Sequence, residues 1–508
     1  MRGYFFRTNY SPSNPPPYNP SSPSTRSKQI HISLDTASKM CGRFYRPYIK
    51  AGKSGPCSEV TEFITRRCTM KAKALQSLLL KEISSLDKSK YAKSPGADFT
   101  RSRKLPFNTL ITTMLRMEGS SMGNELISIF PKAAETPSVS AFVQQRNKLK
   151  AGVFDDLFHA IVLSTESIQL ARTINGLRLL AVDGTDIQVP TDLDHAETFL
   201  SLKQGHENYN MLHMNAMYDL LQHTYVDETI QNYNIMNEHK AFVEMIDRSW
   251  MSNVLVMADR GYESFNNMAH AAEKGWYFLF RAKESNGIAD GLVLPDAESF
   301  DVSIDLNLTR KQTNEVKKLF ADRNRYRYLS HSANFDYLPS RSRKADPLIW
   351  YNISFRVVKF PITDDSCEII LTNLPKDIYP PSEIKRLYSL RWGIETSFRS
   401  LKYTVGLLYF HSKKVEYIRH EIVARLIMYN FSEMIAAHVI IEKKDRKYDY
   451  KINFAVAVHV CRLFIRGDIS PPDLEAQLSR NIIPIRPDRK RKREKHSSSV
   501  ISFTYRLA

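Results

Sequence analysis

Three acidic residues, Asp183, Asp259 and Glu395, are the first candidates for chemistry in this sequence. Asp183 and Asp259 each follow a short apolar run, LRLLAV and NVLVMA, that predicts a buried strand. Ligands and catalytic groups gather at the ends of such strands in open α/β sheets, and carboxylate oxygens suit hard divalent cations. An aspartate close to a glycine is also ordinary turn chemistry, so for either aspartate alone a plain turn is the stronger interpretation.

Glu395 belongs to a second pattern, in which Tyr388, Arg391, Glu395 and Lys402 are spaced along one predicted helix. At about 100° per residue, the four side chains fall within an arc of about 60°. An apolar stripe adjoins that arc and consists of Leu387, Ile394, Phe398 and Leu401. The polar strip is therefore expected at the edge of the buried face, although a salt-bridged helix surface would give a similar pattern.

The bulk composition favours a nucleic-acid partner. A formal net charge of +18 on 508 residues favours a polyanion, either nucleic acid or an anionic membrane. The sequence has no run of 18 or more apolar residues, and its start is not a convincing secretory signal. Five cysteines without a C-x-x-C pair argue against a disulfide framework and a structural zinc site. We therefore expect an intracellular chain that binds nucleic acid.

The chain before the first strand divides into a low-complexity segment and a helical region. Residues 11–27 are rich in Pro, Ser and Asn, so residues 1–69 are expected to be disordered or to precede a true start at Met70. Apolar residues at helical spacing predict helices over 104–165, one of them capped by Ser138. Residue types that contact phosphates and bases follow this cap, namely Gln144, Gln145, Arg146 and Lys148. A solvated face of an ordinary helical bundle is an equally good interpretation.

In the rest of the chain, the spacing of apolar residues changes twice. From residue 177 to residue 283, short apolar strands alternate with a helix, and residues 300–375 show the alternation of half-buried antiparallel strands. A long helical region is predicted from a cap at Ser382 to about residue 440. The run RPDRKRKREK over 486–495 is typical of a solvated tail, which here could also follow phosphates.

The spacing Y-x2-R-x3-E-x6-K resembles the signature of DDE transposases of the insertion-sequence-four type, and reads YSLRWGIETSFRSLK over residues 388–402. The segments LLAVDGTDIQVP and VLVMADRGYESF around the two aspartates also resemble that family. So do EIILTNLP before the signature and RHEIVARLIMYN after it. The resemblance covers roughly residues 104–440, with every spacing of the signature intact.

This resemblance implies an α/β fold with a ribonuclease H-like catalytic core, interrupted by a mostly β insertion and preceded by an N-terminal helical DNA-binding module. In that core Asp183 would lie on the first strand, Asp259 after the fourth and Glu395 on a later helix. The implied divisions are an extension (1–69), the helical DNA-binding module (70–170), the first part of the core (171–285), the β-rich insertion (286–376), the second part of the core (377–440) and a C-terminal region with the basic tail (441–508).

The resemblance also implies a two-metal mechanism at the three carboxylates. Two Mg²⁺ ions, with Mn²⁺ as a substitute, would be held by Asp183, Asp259 and Glu395, with Asp183 bridging both. Two such ions can serve both the nucleophile and the leaving oxygen of an in-line displacement at a phosphodiester.

The remaining signature residues would handle DNA. Arg391 and Lys402 would clamp phosphates, the first as a fork and the second as a point charge, while Tyr388 would contact the backbone near the cut. Trp276 and Arg281 are further candidates for DNA contacts, although a buried core position is the stronger interpretation for Trp276.

The function implied by the resemblance is cut-and-paste transposition of an insertion sequence. The partners would be double-stranded DNA, at the terminal inverted repeats and at the target, bound by a homodimer in a synaptic complex. The location would be the bacterial cytoplasm, on the nucleoid when bound to DNA, with no membrane contact. Three alternatives remain: a nuclease on the same core, a degenerate or domesticated transposase that only binds DNA, and a membrane-surface protein, for which no clear amphipathic anchor is present.

Overall fold

The computed structural model describes residues 72–101, 104–168, 171–201, 208–283, 285–338, 350–363, 366–441 and 447–486. The expectations for residues 1–69, for a start at Met70 and for the basic run beyond Arg486 therefore lie outside the described residues. None of the described helices is both long enough and apolar enough to cross a lipid bilayer.

A layer of helices precedes the first strand: α1 (Ala72–Ser85), α2 (Lys88–Tyr91), α3 (Phe107–Arg116), α4 (Met122–Ile129), α5 (Val139–Arg146) and α6 (Val153–Ile168). The predicted helical spacing is confirmed because its apolar residues are buried, as are Leu110 of α3 and Phe158 of α6. Ser138 caps α5 as predicted, since its Oγ accepts a hydrogen bond of 3.2 Å from the Ala141 backbone N–H.

The core that follows is a mixed sheet with helices. Its elements are β1 (Arg178–Val189), β2 (Phe199–Leu200), β3 (Tyr209–Asp219), β4 (Thr224–Asn232), α7 (Glu238–Arg248), β5 (Val254–Ala258), α8 (Phe265–Glu273) and β6 (Tyr277–Arg281). β3 lies antiparallel between β1 and β4, while β1, β5 and β6 run parallel to one another. One aspartate, Asp183, lies on β1, and another, Asp259, follows β5, which is the fourth strand when the two-residue β2 is not counted. This mixed sheet fits the expected ribonuclease H-like core.

The first strand is longer than its sequence pattern predicted. The apolar run LRLLAV ends at Val182, but β1 continues to Val189. The continuation pairs with β3, whereas the pairing with β5 stops at Val182. Asp183 therefore lies within β1, at the point where the parallel neighbour ends.

The region between β6 and the signature adds β7 (Phe300–Thr309), α9 (Asn314–Leu319), β8 (Tyr326–Tyr328), β9 (Tyr351–Thr363) and β10 (Ser366–Thr372). The alternation predicted for β7 is confirmed, since Ile304, Leu306 and Leu308 are buried. β10 pairs antiparallel with β6, and the sheet then continues through β9, β7 and β8. The added strands thus extend the core sheet.

The last part of the chain is mostly helical: α10 (Pro381–Ser389), α11 (Trp392–Ser400), a π-helical turn (Leu401–Val405), α12 (Val415–His438), β11 (Tyr450–Ile452), α13 (Phe454–Arg466), α14 (Pro471–Arg480) and β12 (Ile482–Pro484). The helical region predicted from Ser382 onwards is not continuous. Leu390 and Arg391 separate α10 from α11, and Gly406 ends the π-helical turn in a left-handed conformation with φ of 96°. α10 also begins at Pro381, one residue before the predicted cap, because proline suits the first helical turn.

α12 joins the N-terminal helices to the core sheet. On one side, Arg425 donates a hydrogen bond of 3.1 Å to the carbonyl oxygen of Glu118. On the other side, the Asn430 side chain exchanges hydrogen bonds of 2.8 and 2.7 Å with the backbone of Tyr225 in β4. Buried polar groups without partners are costly, so these contacts favour one arrangement of the helical layer on the sheet.

Candidate active site

The pairing of β1 with β5 places Asp183 beside Asp259. Val182 and Ala258 are partners in this parallel pair, and the two aspartates are the next residues along their chains. Neighbouring strands lie about 4.8 Å apart, so the backbones of the two aspartates start close together. Each carboxylate accepts a hydrogen bond from the next backbone N–H, at 2.9 Å for Asp183 and 2.7 Å for Asp259.

Glu395 is positioned by the first turn of α11. The opposite face of this helix is buried on the core, where the Ser397 hydroxyl lies 2.7 Å from the Tyr225 hydroxyl. The Phe398 ring also stacks on Tyr225, with 6.1 Å between ring centroids. The Glu395 side chain stays 36% exposed. The packing of α11 on β4 therefore holds this carboxylate at the open edge of the sheet.

Arg391 links Glu395 to Asp183. Its Nη2 donates a hydrogen bond of 2.9 Å to Glu395 Oε1, and its Nη1 lies 3.5 Å from Asp183 Oδ2. Burial raises the pKa of the Asp183 carboxyl to about 6, and Arg391 opposes this rise. The charges of Glu395 and Asp259 raise the same pKa further. The three predicted carboxylates are thus near enough to influence one another.

The chemistry of these donors suits a hard divalent cation. Three neighbouring carboxylates carry more negative charge than the Arg391 guanidinium neutralises, and their oxygens are the ligands that Mg²⁺ prefers. In the part of the chain that the structure describes, no three His, Cys, Asp or Glu side chains are grouped closely enough to hold a metal as they stand. In this arrangement Arg391 contacts two of the three carboxylates.

Tyr388 and Lys402 do not lie on the helix of Glu395. Two turn residues, Leu390 and Arg391, separate α10 from α11, and the π-helical turn follows α11 directly, with right-handed helical backbone angles at both junctions. The four signature residues are therefore spread over consecutive helical segments, and their strip of about 60° stays a prediction. Tyr388 is buried, and its hydroxyl has no hydrogen-bond partner among the described residues. Lys402 lies on the π-helical turn, where burial lowers its pKa and the charge of Asp186 opposes that change.

Arg281 is a second arginine at the site. Its Nη1 lies 3.9 Å from Asp259 Oδ1, and its Nε lies 3.5 Å from Glu368 Oε1. Burial raises the pKa of the Glu368 carboxyl, while Arg281 and Arg391 lower it. Glu368 was not predicted, because a single glutamate in a strand has no distinctive pattern. The antiparallel pairing of Ile370 with Arg281 brings it to the site.

Two other candidates for DNA contacts are structural. Trp276 is 1% exposed, and its indole N–H donates a hydrogen bond of 2.9 Å to the Met251 carbonyl, which confirms the core interpretation. Arg146 is also buried, lies 3.5 Å from Glu421 and packs over the Tyr417 ring. Its burial therefore fits neither of the two interpretations of this helix face, a contact to phosphates or bases and a solvated surface.

The large mixed sheet and the helices packed on it define a mixed α/β protein that fits a ribonuclease H-like core. Residues 174–431, just over half of the chain, match the family described as "Transposase DDE domain". The chain therefore belongs to the DDE transposase family. It is a DNA transposase, an enzyme that cleaves DNA and transfers strands in a metal-dependent reaction.

Similar proteins include transposases of bacterial insertion sequences. The transposase of element IS231B from Bacillus thuringiensis subsp. berliner is 21% identical over 61% of this chain and 68% of its own length. The InsG transposase of element IS4 from Escherichia coli K12 is 22% identical over 66% of this chain and 71% of its own length. The piggyBac transposase in a synaptic complex with hairpin DNA has 9% identity and a TM-score of 0.41, over 80% of this chain and 83% of that one.

Proposed function

We propose that Asp183, Asp259 and Glu395 are the catalytic residues of this transposase and bind two Mg²⁺ ions, for which Mn²⁺ can substitute. The observation that carries this assignment is the position of Asp183, which lies beside Asp259 across two parallel strands and is linked by Arg391 to Glu395. When bound, two such ions supply an activated nucleophile and a stabilised leaving oxygen for in-line displacement at a phosphodiester.

Three further residues contact the DNA strand in this proposal. Tyr388 and Arg391 present buried donors, since the Tyr388 hydroxyl and the Arg391 Nε atom make no hydrogen bond among the described residues. A buried donor without a partner costs about 1–3 kcal/mol, which favours a ligand that can accept its proton. Phosphate oxygens of a strand end would do so, with Arg391 as a fork and Lys402 as a point charge beside them.

The helices α1 to α6 form the module that recognises the ends of the element. Two cavities flank α5, one of about 530 Å³ that includes Lys104 and Gln144, and one of about 360 Å³ that includes Arg101 and Lys148. Gln145 borders both cavities and is buried, with its Oε1 unpaired in the described structure. Glutamine can read adenine edges and the basic side chains can neutralise phosphates, so this surface suits double-stranded DNA.

The complete reaction would join the 3′ ends of the excised element to target DNA within a synaptic homodimer, in the bacterial cytoplasm and on the nucleoid. The bacterial insertion sequences of the relatives and the net charge of +18 support these partners. A degenerate transposase that only binds DNA is the second candidate. The presence of all three carboxylates favours the active enzyme.

The assignment of the three catalytic carboxylates is tested by cleavage of a DNA duplex that carries the element's own end. The assay contains Mg²⁺ and compares the wild-type protein with Glu395→Gln and Glu383→Gln. Glu383 lies on α10 and pairs with Arg386, so its variant controls for the loss of a helical glutamate. We expect nicking and strand transfer from wild type and Glu383→Gln, and DNA binding without cleavage from Glu395→Gln. Equal cleavage by all three proteins would refute the site. If the wild-type protein cleaves DNA but does not join strands, a nuclease is favoured. If the wild-type protein binds DNA but does not cleave it, the degenerate transposase is favoured.

A further inference from the structure

A fourth carboxylate lies behind the two aspartates. Glu238 is the first residue of α7, and its two oxygens approach the backbones that follow Asp183 and Asp259. A Cβ atom placed on Gly184 would lie 2.9 Å from Glu238 Oε1, and one on Gly261 would lie 3.3 Å from Glu238 Oε2. Both glycines therefore provide room for the same carboxylate.

The direction of this approach decides what Glu238 can do. Successive side chains of a strand point to opposite faces of the sheet, so the Gly184 position faces away from the Asp183 side chain. Glu238 thus approaches Gly184 on the face opposite the Asp183 side chain. From there it can support the positions of the β1 backbone and Asp183 rather than share a ligand position with that carboxylate.

Glu238 is itself held in place by His213. The His213 Nε2 atom lies 3.2 Å from Glu238 Oε1, and its Nδ1 atom is hydrogen-bonded to Asp186 Oδ1 at 2.7 Å. Burial lowers the pKa of His213, but its pairing with Asp186 and Glu238 outweighs that effect and raises the pKa to about 9. A Cβ on Gly184 would also lie 2.5 Å from His213 Nε2, so the glycine accommodates both side chains.

Tyr262 places Glu238 in the same electrostatic environment as the catalytic acids. The Tyr262 ring is buried, and its hydroxyl donates a hydrogen bond of 2.8 Å to Asn215 Oδ1. Burial raises the pKa of Tyr262 well above its usual value, and the charges of Glu238, Asp183 and Asp259 raise it further. The charges of all three carboxylates therefore act on one phenol.

We propose that Glu238, held by His213, is a positioning residue of the catalytic centre, which fixes the spacing of Asp183 and Asp259 through the backbones of Gly184 and Gly261. This inference rests on the proposed function, in which the two aspartates bind divalent cations. Residues that orient metal ligands in other proteins contribute about 10–100-fold to metal affinity. Loss of the Glu238 contact should therefore weaken cation binding although Glu238 is not itself a ligand.

The test is Mn²⁺ affinity of the full chain without DNA, followed by the electron paramagnetic resonance signal of free Mn²⁺. Glu238→Ala should weaken affinity about tenfold or more, whereas Glu238→Gln, which keeps the shape, should retain most of it. Glu244→Ala on the exposed face of α7 is the control and should bind as wild type. Equal losses in Glu238→Ala and Glu238→Gln would assign the effect to charge and overturn the proposed support of the backbones.

A second variant covers the case that Glu238→Ala does not fold. Gly261→Ala crowds Glu238 without removing it, and should lower Mn²⁺ affinity several-fold with little change in unfolding temperature. Wild-type affinity in Gly261→Ala would overturn the inference. Asp183→Asn separates the two proposals. Wild-type Mn²⁺ affinity in Asp183→Asn would contradict the proposed metal site itself. Loss of affinity in Asp183→Asn, with wild-type affinity in the Glu238 and Gly261 variants, would contradict only the role of Glu238.

Discussion

Arg391 and Glu395 are joined by a hydrogen bond of 2.9 Å across the first turn of α11, and the same guanidinium lies 3.5 Å from Asp183. One cation of the protein is thus shared by two carboxylates that we assign to metal binding. Arginine remains charged at any pH at which the protein functions. Divalent ions must therefore compete with Arg391 for these carboxylates, and a phosphate of the DNA offers Arg391 an alternative partner.

Arg391→Lys should uncouple DNA binding from cleavage. A lysine carries its charge on one ammonium group, so it cannot replace the planar guanidinium, whose several N–H donors face Asp183, Glu395 and a phosphate. We expect single-turnover cleavage to slow on the order of 10²-fold, the cost of misplaced reacting groups, while end binding in a gel-shift assay stays near wild type. Arg399→Lys, on the exposed face of α11, is the control. A wild-type cleavage rate would contradict the role of the fork.

Arg281→Gln should lower the Mg²⁺ concentration that cleavage needs. Arg281 lies 3.9 Å from Asp259, so its removal takes away a positive charge that opposes a cation at this carboxylate. We expect the half-maximal Mg²⁺ concentration to fall roughly three- to tenfold, as fits a partly screened charge. Lys317→Gln on α9 removes an exposed charge and should leave the titration unchanged. An increased Mg²⁺ requirement would instead make Arg281 a support of Asp259.

Tyr225→Phe should weaken the packing of α11 on the sheet. The substitution removes the hydroxyl that lies 2.7 Å from Ser397, while the ring still stacks on Phe398. The free energy of unfolding in urea should fall by about 1 kcal/mol, the usual net value of one hydrogen bond. Tyr403→Phe, whose side chain is exposed, should unfold as wild type. Equal stabilities would mean that the ring alone positions α11.

Glu433→Gln should stabilise the protein at pH 8 and have little effect near pH 4.5. Burial raises the pKa of Glu433 from 4.5 to about 7, so the folded chain holds this proton more tightly than the unfolded chain does. The stability from this proton is present below pH 4.5 and is lost as the pH rises to about 7. Urea unfolding at pH 8 should show a gain of roughly 1–3 kcal/mol. Glu315→Gln, at an exposed site, should show none.

Lys104→Gln and Lys148→Gln should each weaken end binding in a salt-dependent manner. Both lysines border the cavities beside α5, where they are placed to neutralise phosphates. Each variant should lower the slope of log affinity against log salt by about 1. Lys81→Gln, on the exposed side of α1, should keep the wild-type slope. Unchanged slopes in Lys104→Gln and Lys148→Gln would mean that the recognition surface lies elsewhere.

The sequence pattern predicted the strands before Asp183 and Asp259 because buried parallel strands are continuous apolar runs with turn chemistry after them. It could not give the register of Val182 with Ala258, which depends on packing between distant segments. The apolar runs alone therefore predict two separate strand ends. The family resemblance implied that the two aspartates share a site, and the register shows that they follow neighbouring parallel strands.

The signature region shows a smaller departure from the sequence pattern. The spacing of Tyr388 and Glu395 predicts one continuous helix, whereas a two-residue turn at Leu390 and Arg391, with helical backbone angles, separates α10 from α11. The spacing alone could not show this break, because it depends on contacts elsewhere in the fold. Glu238 and Glu368 were missed for a related reason, since each reaches the site through a fold contact and neither belongs to a motif.

The pairing of β10 with β6 has a consequence for shortening this protein. Deleting residues 286–376 would remove β10 and expose one edge of β6, which would then pair only with β5. An unpaired apolar edge of that kind can recruit strands from other molecules. A minimal enzyme made by excising this segment would therefore be expected to precipitate during expression before its chemistry could be assayed, unless a helix or a charged edge strand were supplied in its place.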